Sequence, residues 1–215
     1  MTGSIAAMGQ VLSVCVYCAS SEAVRPSYRA VAAELGAAIA VEGWALVYGG
    51  GNIGLMGEVA RAALAGGAHV TGIIPHRLAT REIELRDVTE LIRVETMRER
   101  KALMDERSDA FVVLAGGIGT VEELVEMITL KQLGWHDRAI VVLDTEGFWD
   151  PLLAQFQRMV DEQLAEPSLL ELFQVTRDVA STVAALRDYE PPAPRPLTKA
   201  EVDERLEIVE DEPGP

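Results

Sequence analysis

Seven short apolar runs recur along the chain of 215 residues, and helical patterns fill the intervals between them. Runs such as "ALVY" and "AIVVL" have no charged residue, which indicates strands that are covered on both faces. Strands of this kind alternating with helices predict one α/β domain, a doubly wound parallel sheet with helices on both faces. The predicted strands are 11–17, 44–48, 69–74, 90–94, 110–114, 139–143 and 172–175. The predicted helices are 26–42, 54–66, 96–107, 120–133, 149–164 and 177–188.

The composition changes at residue 190. Residues 190–215 contain six of the ten prolines and more acids than bases, with little to bury. We therefore predict three parts: a flexible N-terminus at 1–10, an α/β domain at 11–189 and a flexible, acidic, proline-rich tail at 190–215.

The formal net charge of −15 argues against a nucleic-acid or anionic-membrane partner, because both favour a basic surface. There is no apolar run of about 18 residues and no N-terminal signal pattern, so we expect neither a membrane span nor secretion. Cys15 and Cys18 lie three residues apart in the first predicted strand and should point to opposite faces. We predict two buried free thiols in a reducing cytoplasm.

A first glycine-rich loop, "YGGGNIGLMGEVA" at 48–60, follows a predicted strand and opens a helix. Backbone N–H groups and the helix dipole can hold an anion at such a place. The predicted single-domain sheet is Rossmann-like, and Gly49, Gly51 and Gly54 match G-x-G-x-x-G, so a dinucleotide-binding loop has to be considered. NAD is disfavoured because the next strand ends in "GIIPH" without an acid, and no Gly-Lys-Ser/Thr occurs for a Walker loop. A tight turn with close packing at Gly57 explains this loop equally well.

A second loop, "LAGGIGTVEEL" at 114–124, has the same setting after another strand. One interpretation is a capping box, in which Thr120 starts the helix and Glu123 reaches back to an unpaired N–H group. The other is a ligand site, since a second glycine loop at the carboxyl end of a parallel sheet lies where ligands bind.

A cluster of three bases lies between the loops, in "ETMRERKALMDERSDA" at 95–110. Arg98, Arg100 and Lys101 supply it on a predicted helix. They form either a solvated face that pairs with neighbouring acids or a cationic partner for phosphate. The neighbouring acids are Glu95, Glu99 and Asp105.

These three stretches, in this order, resemble the Lonely Guy family of cytokinin-activating phosphoribohydrolases. Many bacterial members of that family carry the label "possible lysine decarboxylase". The family pairs GGG-x-x-GLMG with PGG-x-GT-x-x-E and places M-x-x-RK between them; this chain has "GGGNIGLMG", "AGGIGTVEE" and "MRERK". The resemblance covers about residues 11–188 and departs at Ala115, which stands where the family has proline.

The resemblance implies hydrolysis of the N-glycosidic bond of a cytokinin riboside 5′-monophosphate or AMP, releasing free base and ribose 5-phosphate. It implies no metal and no organic cofactor, and a homodimer with active sites near the interface. The implied catalytic residues are Arg100 and Glu123. The implied substrate-binding residues are Gly50, Gly51, Gly54, Met56, Gly57, Glu82, Met97, Lys101, Gly116, Gly117, Ile118, Gly119, Thr120 and Thr129.

In this hypothesis the glycines and Thr120 hold the 5′-phosphate, and Glu123 faces the ribose. Breaking the bond develops positive charge on the sugar, which a carboxylate stabilises. Arg100 neutralises phosphate or orients Glu123. A non-catalytic nucleotide carrier or sensor on the same fold is the alternative.

A pyridoxal-phosphate decarboxylase is disfavoured, because it needs a Schiff-base lysine and the chain has only Lys101, Lys131 and Lys199. The sequence leaves the base open: a cytokinin ribotide, AMP or another purine monophosphate.

Overall fold

The computed structural model describes residues 12–79 and 84–191. Its strands are β1 Ser13–Tyr17, β2 Ala45–Tyr48, β3 Val70–Pro75, β4 Glu90–Val94, β5 Ala110–Val113, β6 Ala139–Leu143 and β7 Gln174–Thr176. Its helices are α1 Pro26–Val41, α2 Gly54–Ala65, α3 His76–Ala79, α4 Met97–Glu106, α5 Ile118–Gln132, α6 Asp150–Asp161 and α7 Val179–Arg187. Short 3₁₀ turns occupy Thr145–Gly147 and Pro167–Glu171.

The strands form one sheet in the order β4-β3-β2-β1-β5-β6-β7, and every neighbouring pair is parallel. The predicted α/β fold with a doubly wound parallel sheet is therefore confirmed. From β1 the chain turns toward β2, whereas from β5 it turns toward β6. The loops that follow β1 and β5 diverge at this switch point, and ligands bind there in open parallel sheets.

The two faces of the sheet carry separate cores. Apolar residues of α1, α2 and α7, such as Leu35, Val59 and Val183, pack on one face. Residues of α4, α5 and α6, such as Met104 and Leu124, pack on the other. The helices that follow β1 and β5 thus lie on opposite faces, so the carboxyl edge between these strands opens as a crevice.

The two cysteines follow this division. Cys15 belongs to the core under α4–α6 and Cys18 to the core under α1 and α2, and both are buried and free. Burial raises the pKa of Cys15 to about 12 and also raises the pKa of Cys18. The predicted pair of buried thiols is confirmed.

Local signals set most helix ends. Pro26 begins α1, and Gly43, with φ of +71°, follows its end in the left-handed conformation, as predicted. The predicted capping box at Thr120 is wrong, because α5 begins at Ile118 and its cap residue is Gly117. A side-chain cap forms instead on α4, where the hydroxyl of Thr96 accepts from the Glu99 N–H at 3.1 Å.

Among the described helices, none is long and apolar enough to cross a membrane. The predicted flexible N-terminus at 1–10 and all but the first two residues of the tail at 190–215 lie outside the described residues.

Candidate functional site

Arg100 is the most deeply placed residue of the predicted basic cluster. It lies on α4 and is only 5% exposed. Its Nε donates to the carbonyl of Ile73 at 3.1 Å, and its Nη2 donates to the carbonyl of Gly49 at 3.0 Å. The solvated-face interpretation is therefore wrong for Arg100, whose guanidinium is fixed between β3 and the first glycine loop.

The glycines of the first loop are all buried. A Cβ at Gly49 would overlap the Arg100 guanidinium, so this glycine makes room for the arginine. Gly50 and Gly54 have φ of +76° and +61°, and a Cβ at Gly54 would lie 2.7 Å from the backbone of Ser20. A Cβ at Gly57 would overlap the carbonyl of Asn52. Burial of this kind favours the packing explanation for the first loop.

The second loop is different, because part of it faces open space. Gly116 packs against the side chain of Thr120, which is 4% exposed. Gly117 and Gly119 are exposed, and a Cβ at either would meet no atom within 4 Å. With φ of −90° the fold does not require glycine at 117. The N-terminus of α5 therefore presents unobstructed backbone, which suits an anion.

Glu123 lies in the first turns of α5 and is 6% exposed. Burial raises its pKa to about 7, although the nearby Arg100 and Lys101 oppose that rise. Within residues 12–79 and 84–191, no hydrogen bond holds its carboxylate. A buried carboxyl group poised near neutral pH, beside a fixed guanidinium, has the properties of a catalytic acid or base.

Glu122, the neighbouring acid, has a different environment. Its side chain is 54% exposed and pairs with Lys101 from α4. Lys101 also pairs with Glu126 at 2.9 Å. Partial burial lowers the pKa of Lys101, but these two acids outweigh it, so the pKa is raised. The structure thus brings Lys101 to the same helix as Glu123, with its charge already matched by two carboxylates.

Thr129 is not brought to the loops within one chain. It lies six residues beyond Glu123 on α5, about 9 Å along the helix axis. It is exposed, and its hydroxyl donates to the carbonyl of Val125 at 2.7 Å. Met97, at the start of α4, and Ile118, at the start of α5, are exposed as well, whereas Met56 is buried near Gly49. Glu82 lies outside the described residues.

The sequence interpretation missed the connection between β1 and α1. The Ala19 N–H donates to the carbonyl of Ala115 at 3.1 Å, and the Ala19 carbonyl accepts from the Leu55 N–H at 2.9 Å. One residue thereby joins the two glycine loops, and the half-buried Ser20 follows it at the switch point. Only the spatial order of the strands identifies this segment, since "CASSEAV" matches no glycine motif.

The arrangement combines an open helix N-terminus, a buried carboxyl group and a buried guanidinium at the carboxyl edge of the sheet. It can bind an anion and stabilise positive charge that develops beside it. In the described part of the chain, no group of three or more His, Cys, Asp or Glu side chains is placed to hold a metal ion.

The chain is similar to proteins of known families. Residues 56–186 match the profile of the family described as "Possible lysine decarboxylase". The probable cytokinin riboside 5′-monophosphate phosphoribohydrolase LOGL9 of Oryza sativa subsp. japonica is 47% identical over 178 residues, covering 83% of this chain and 78% of the relative. The cytokinin riboside 5′-monophosphate phosphoribohydrolase LOG1 of Arabidopsis thaliana is 42% identical and covers 83% and 84% of the two chains.

Solved structures share the fold. The molybdenum cofactor carrier protein of Chlamydomonas reinhardtii superposes with a TM-score of 0.64 at 23% identity, covering 83% of this chain and 97% of that one. The molybdenum cofactor binding protein of Rippkaea orientalis gives the same TM-score at 19% identity, with the same coverage. At these identities the similarity establishes the architecture alone.

Proposed function

The chain belongs to the family of cytokinin riboside 5′-monophosphate phosphoribohydrolases, and from this premise we propose that it hydrolyses the N-glycosidic bond of such nucleotides. The products are ribose 5-phosphate and the free base, which is an N6-modified adenine from a cytokinin nucleotide and plain adenine if AMP is the substrate. The observation that carries the proposal is Glu123, a buried carboxyl group without a hydrogen-bond partner in the described residues, beside the open end of α5.

Phosphate binding belongs to the second loop in this proposal. Gly117 and Gly119 face open space at the N-terminus of α5, where the helix dipole favours an anion. The first loop, with Gly50, Gly51, Gly54 and Gly57, packs beneath the site, and its Gly49 carbonyl accepts from Arg100. Lys101 adds a cation that phosphate reaches by competing with Glu122 and Glu126.

Glu123 then acts on the ribose. As the bond to the base breaks, positive charge develops on the sugar, and an ionised carboxylate stabilises it or activates the attacking water. Arg100 supports the ionised state, since its charge lowers the pKa that burial raises. Glu82 and Met97 are proposed to contact the substrate, as the family pattern implies.

We propose that two copies pair through α5. Ile118, Val125 and Leu133 are exposed apolar residues spaced seven and eight apart, so they share one face of the helix with Thr129. Trp135, 80% exposed, continues this apolar face just beyond the helix. Apolar patches of this kind mark protein contacts. Thr129 would then contact substrate from the interface.

Sedimentation should show a dimer that Leu133→Glu dissociates, and a monomeric native chain would refute this arrangement.

The compartment proposed is the cytoplasm, where both thiols stay reduced. No metal or organic cofactor is invoked. The decarboxylase label of the family profile has little support in the described lysines. Lys101 is paired with two acids, and Lys131 is buried against the carbonyl of Arg138 and the hydroxyl of Tyr189.

The deciding experiment incubates the purified protein with isopentenyladenosine 5′-monophosphate, AMP and the unphosphorylated riboside, and separates the products by chromatography. Free base from the monophosphates alone supports the proposal and ranks the substrates. Saturable binding without free base would instead establish a nucleotide carrier or sensor. Glu123→Gln runs in parallel and should release no free base, and Glu42→Gln is its control, since Glu42 follows the end of α1 and pairs with Arg187.

A further inference from the structure

The segment that enters β4 lies against the first glycine loop. Glu84 forms an isolated antiparallel bridge with Gly51, and the Leu85 N–H donates to the carbonyl of Gly50 at 3.3 Å. These backbone contacts join a loop that follows β2 to a segment more than 30 residues later in the chain.

The side chain of Glu84 fixes this segment in turn. Its carboxylate, 8% exposed, accepts from Arg93 Nε at 3.1 Å and Nη2 at 2.8 Å, and from Arg86 Nε at 3.0 Å. Two parallel bonds from one guanidinium restrict the carboxylate in distance and in direction. Because Arg93 lies on β4, the pair ties the segment to the edge strand of the sheet.

The same loop is held on its other side by Arg100. Gly49 accepts from Arg100 Nη2, Gly50 accepts from Leu85, and Gly51 bridges Glu84. Three consecutive glycines therefore connect the Glu84–Arg93 pair to Arg100. Gly50 has φ of +76°, a conformation that glycine alone adopts without strain. Because glycine backbone is flexible, the conformation of Gly49–Gly51 depends on the contacts with Arg100 and with the segment at Glu84.

We propose that Glu84 and Arg93 are positioning residues for the hydrolysis: they fix the first glycine loop and, through the carbonyl of Gly49, the guanidinium of Arg100 beside Glu123. The inference rests on the proposed function. Neither residue touches the substrate. The pair also stabilises the fold, since the Glu84 carboxylate is 8% exposed and receives two parallel bonds from Arg93, so the test has to separate positioning from stability.

The test compares Arg93→Gln and Glu84→Gln with Arg107→Gln. Arg107, at the end of α4, pairs at 3.3 Å with Glu90, which begins β4. Arg107→Gln therefore controls for the loss of an exposed ion pair to the same strand. We expect kcat/KM to fall between about tenfold and 100-fold in the first two variants, as for other displacements of a catalytic group. The control should stay within about twofold of the native enzyme, since it lies away from the loop.

The pH profile separates positioning from stability. Displacing Arg100 removes a charge that keeps the pKa of Glu123 down, so the midpoint of kcat/KM should move to higher pH in both variants. Arg93→Lys keeps one of the two bonds and should recover part of the activity. Loss of thermal stability with unchanged kcat/KM and midpoint would overturn the proposal.

Failure of the proposed function is a separate outcome. If the native chain releases no free base, the hydrolase assignment fails. AMP binding by the native chain and the variants is then measured by calorimetric titration in place of kcat/KM. Weaker AMP binding in both variants than in Arg107→Gln would still support positioning of the loop. Equal binding in all three would overturn it.

Discussion

The two glycine loops look alike in sequence and differ in what their glycines do. In the first loop, Gly50 and Gly54 are buried and left-handed, and the absence of a side chain at Gly49 leaves room for the Arg100 side chain. In the second, Gly117 and Gly119 are exposed, and a Cβ at either would meet no atom within 4 Å. The fold explains the first set completely. It does not require glycine at the two exposed positions of the second loop, which is consistent with the phosphate binding proposed for that loop.

Substitutions in the two loops should therefore have different effects. Substitutions in the first should damage folding, whereas substitutions around the second should damage activity in a stable protein. The largest expected effect is on activity. Glu123→Gln should lower turnover by about 10²- to 10⁴-fold, because it removes the carboxylate that we propose acts at the sugar.

The same variant should be more stable than the native protein at alkaline pH. Glu123 has a pKa raised above its value in the unfolded chain, so ionising it costs stability as pH rises from about 4.5 to above 7. The full cost is on the order of 3 kcal/mol. Thermal melts at pH 8 should show a higher Tm for Glu123→Gln than for the native protein. Retained turnover would refute the catalytic role, and an unchanged Tm would refute the buried charge.

The next largest effect compares one glycine from each loop. Gly54→Ala forces a side chain into a left-handed conformation and against the backbone of Ser20, so it should cost at least about 2 kcal/mol of unfolding free energy. Gly117→Ala enters open space with an ordinary backbone and should change stability by less than about 1 kcal/mol. It should raise KM for the monophosphate. If urea titration shows the same loss of unfolding free energy in both variants, the two loops do not differ in this way.

A smaller effect is expected from pH. A role for ionised Glu123 makes kcat/KM rise with pH through about 7 and level off above it. One pH unit below the midpoint, the rate should be about tenfold below the plateau. Rates measured between pH 5 and 9 would show this limb. A profile that falls with rising pH would assign Glu123 as a general acid instead.

The smallest effect concerns the hydroxyl of Thr120. Thr120→Val keeps the shape that packs against Gly116 and removes one hydrogen-bonding group. We expect KM for AMP to rise about tenfold, the value of one hydrogen bond to a charged group, with Tm nearly unchanged. A KM equal to that of the native enzyme would leave phosphate binding to the backbone alone.

Much of the fold could be predicted from the sequence, because short apolar runs between helical patterns leave few alternatives. All seven strands occur within about three residues of their predicted bounds. The short helix His76–Ala79 and the two 3₁₀ turns were not predicted, since segments of three to five residues have no periodicity to detect.

The candidate site was harder to predict, because its environment comes from distant parts of the chain. Arg100 resembles any charged residue on a helix until carbonyls from residues 49 and 73 surround it. Thr120 resembles a helix cap because Thr-x-x-Glu fits the pattern, yet the exposed backbone at Gly117 begins the helix earlier. The segment at Ala19 could not be found at all, since the sequence does not reveal that β1 lies between β2 and β5.

The separation of the two cysteines makes each thiol a reporter of one layer. Cys15 lies beneath the helices that carry Arg100 and Glu123, and Cys18 lies beneath α1 and α2. With both pKa values raised, neither thiol is nucleophilic until its layer opens. Alkylation of each cysteine, followed by mass spectrometry, would therefore measure separately how often the core under α4–α6 and the core under α1 and α2 open.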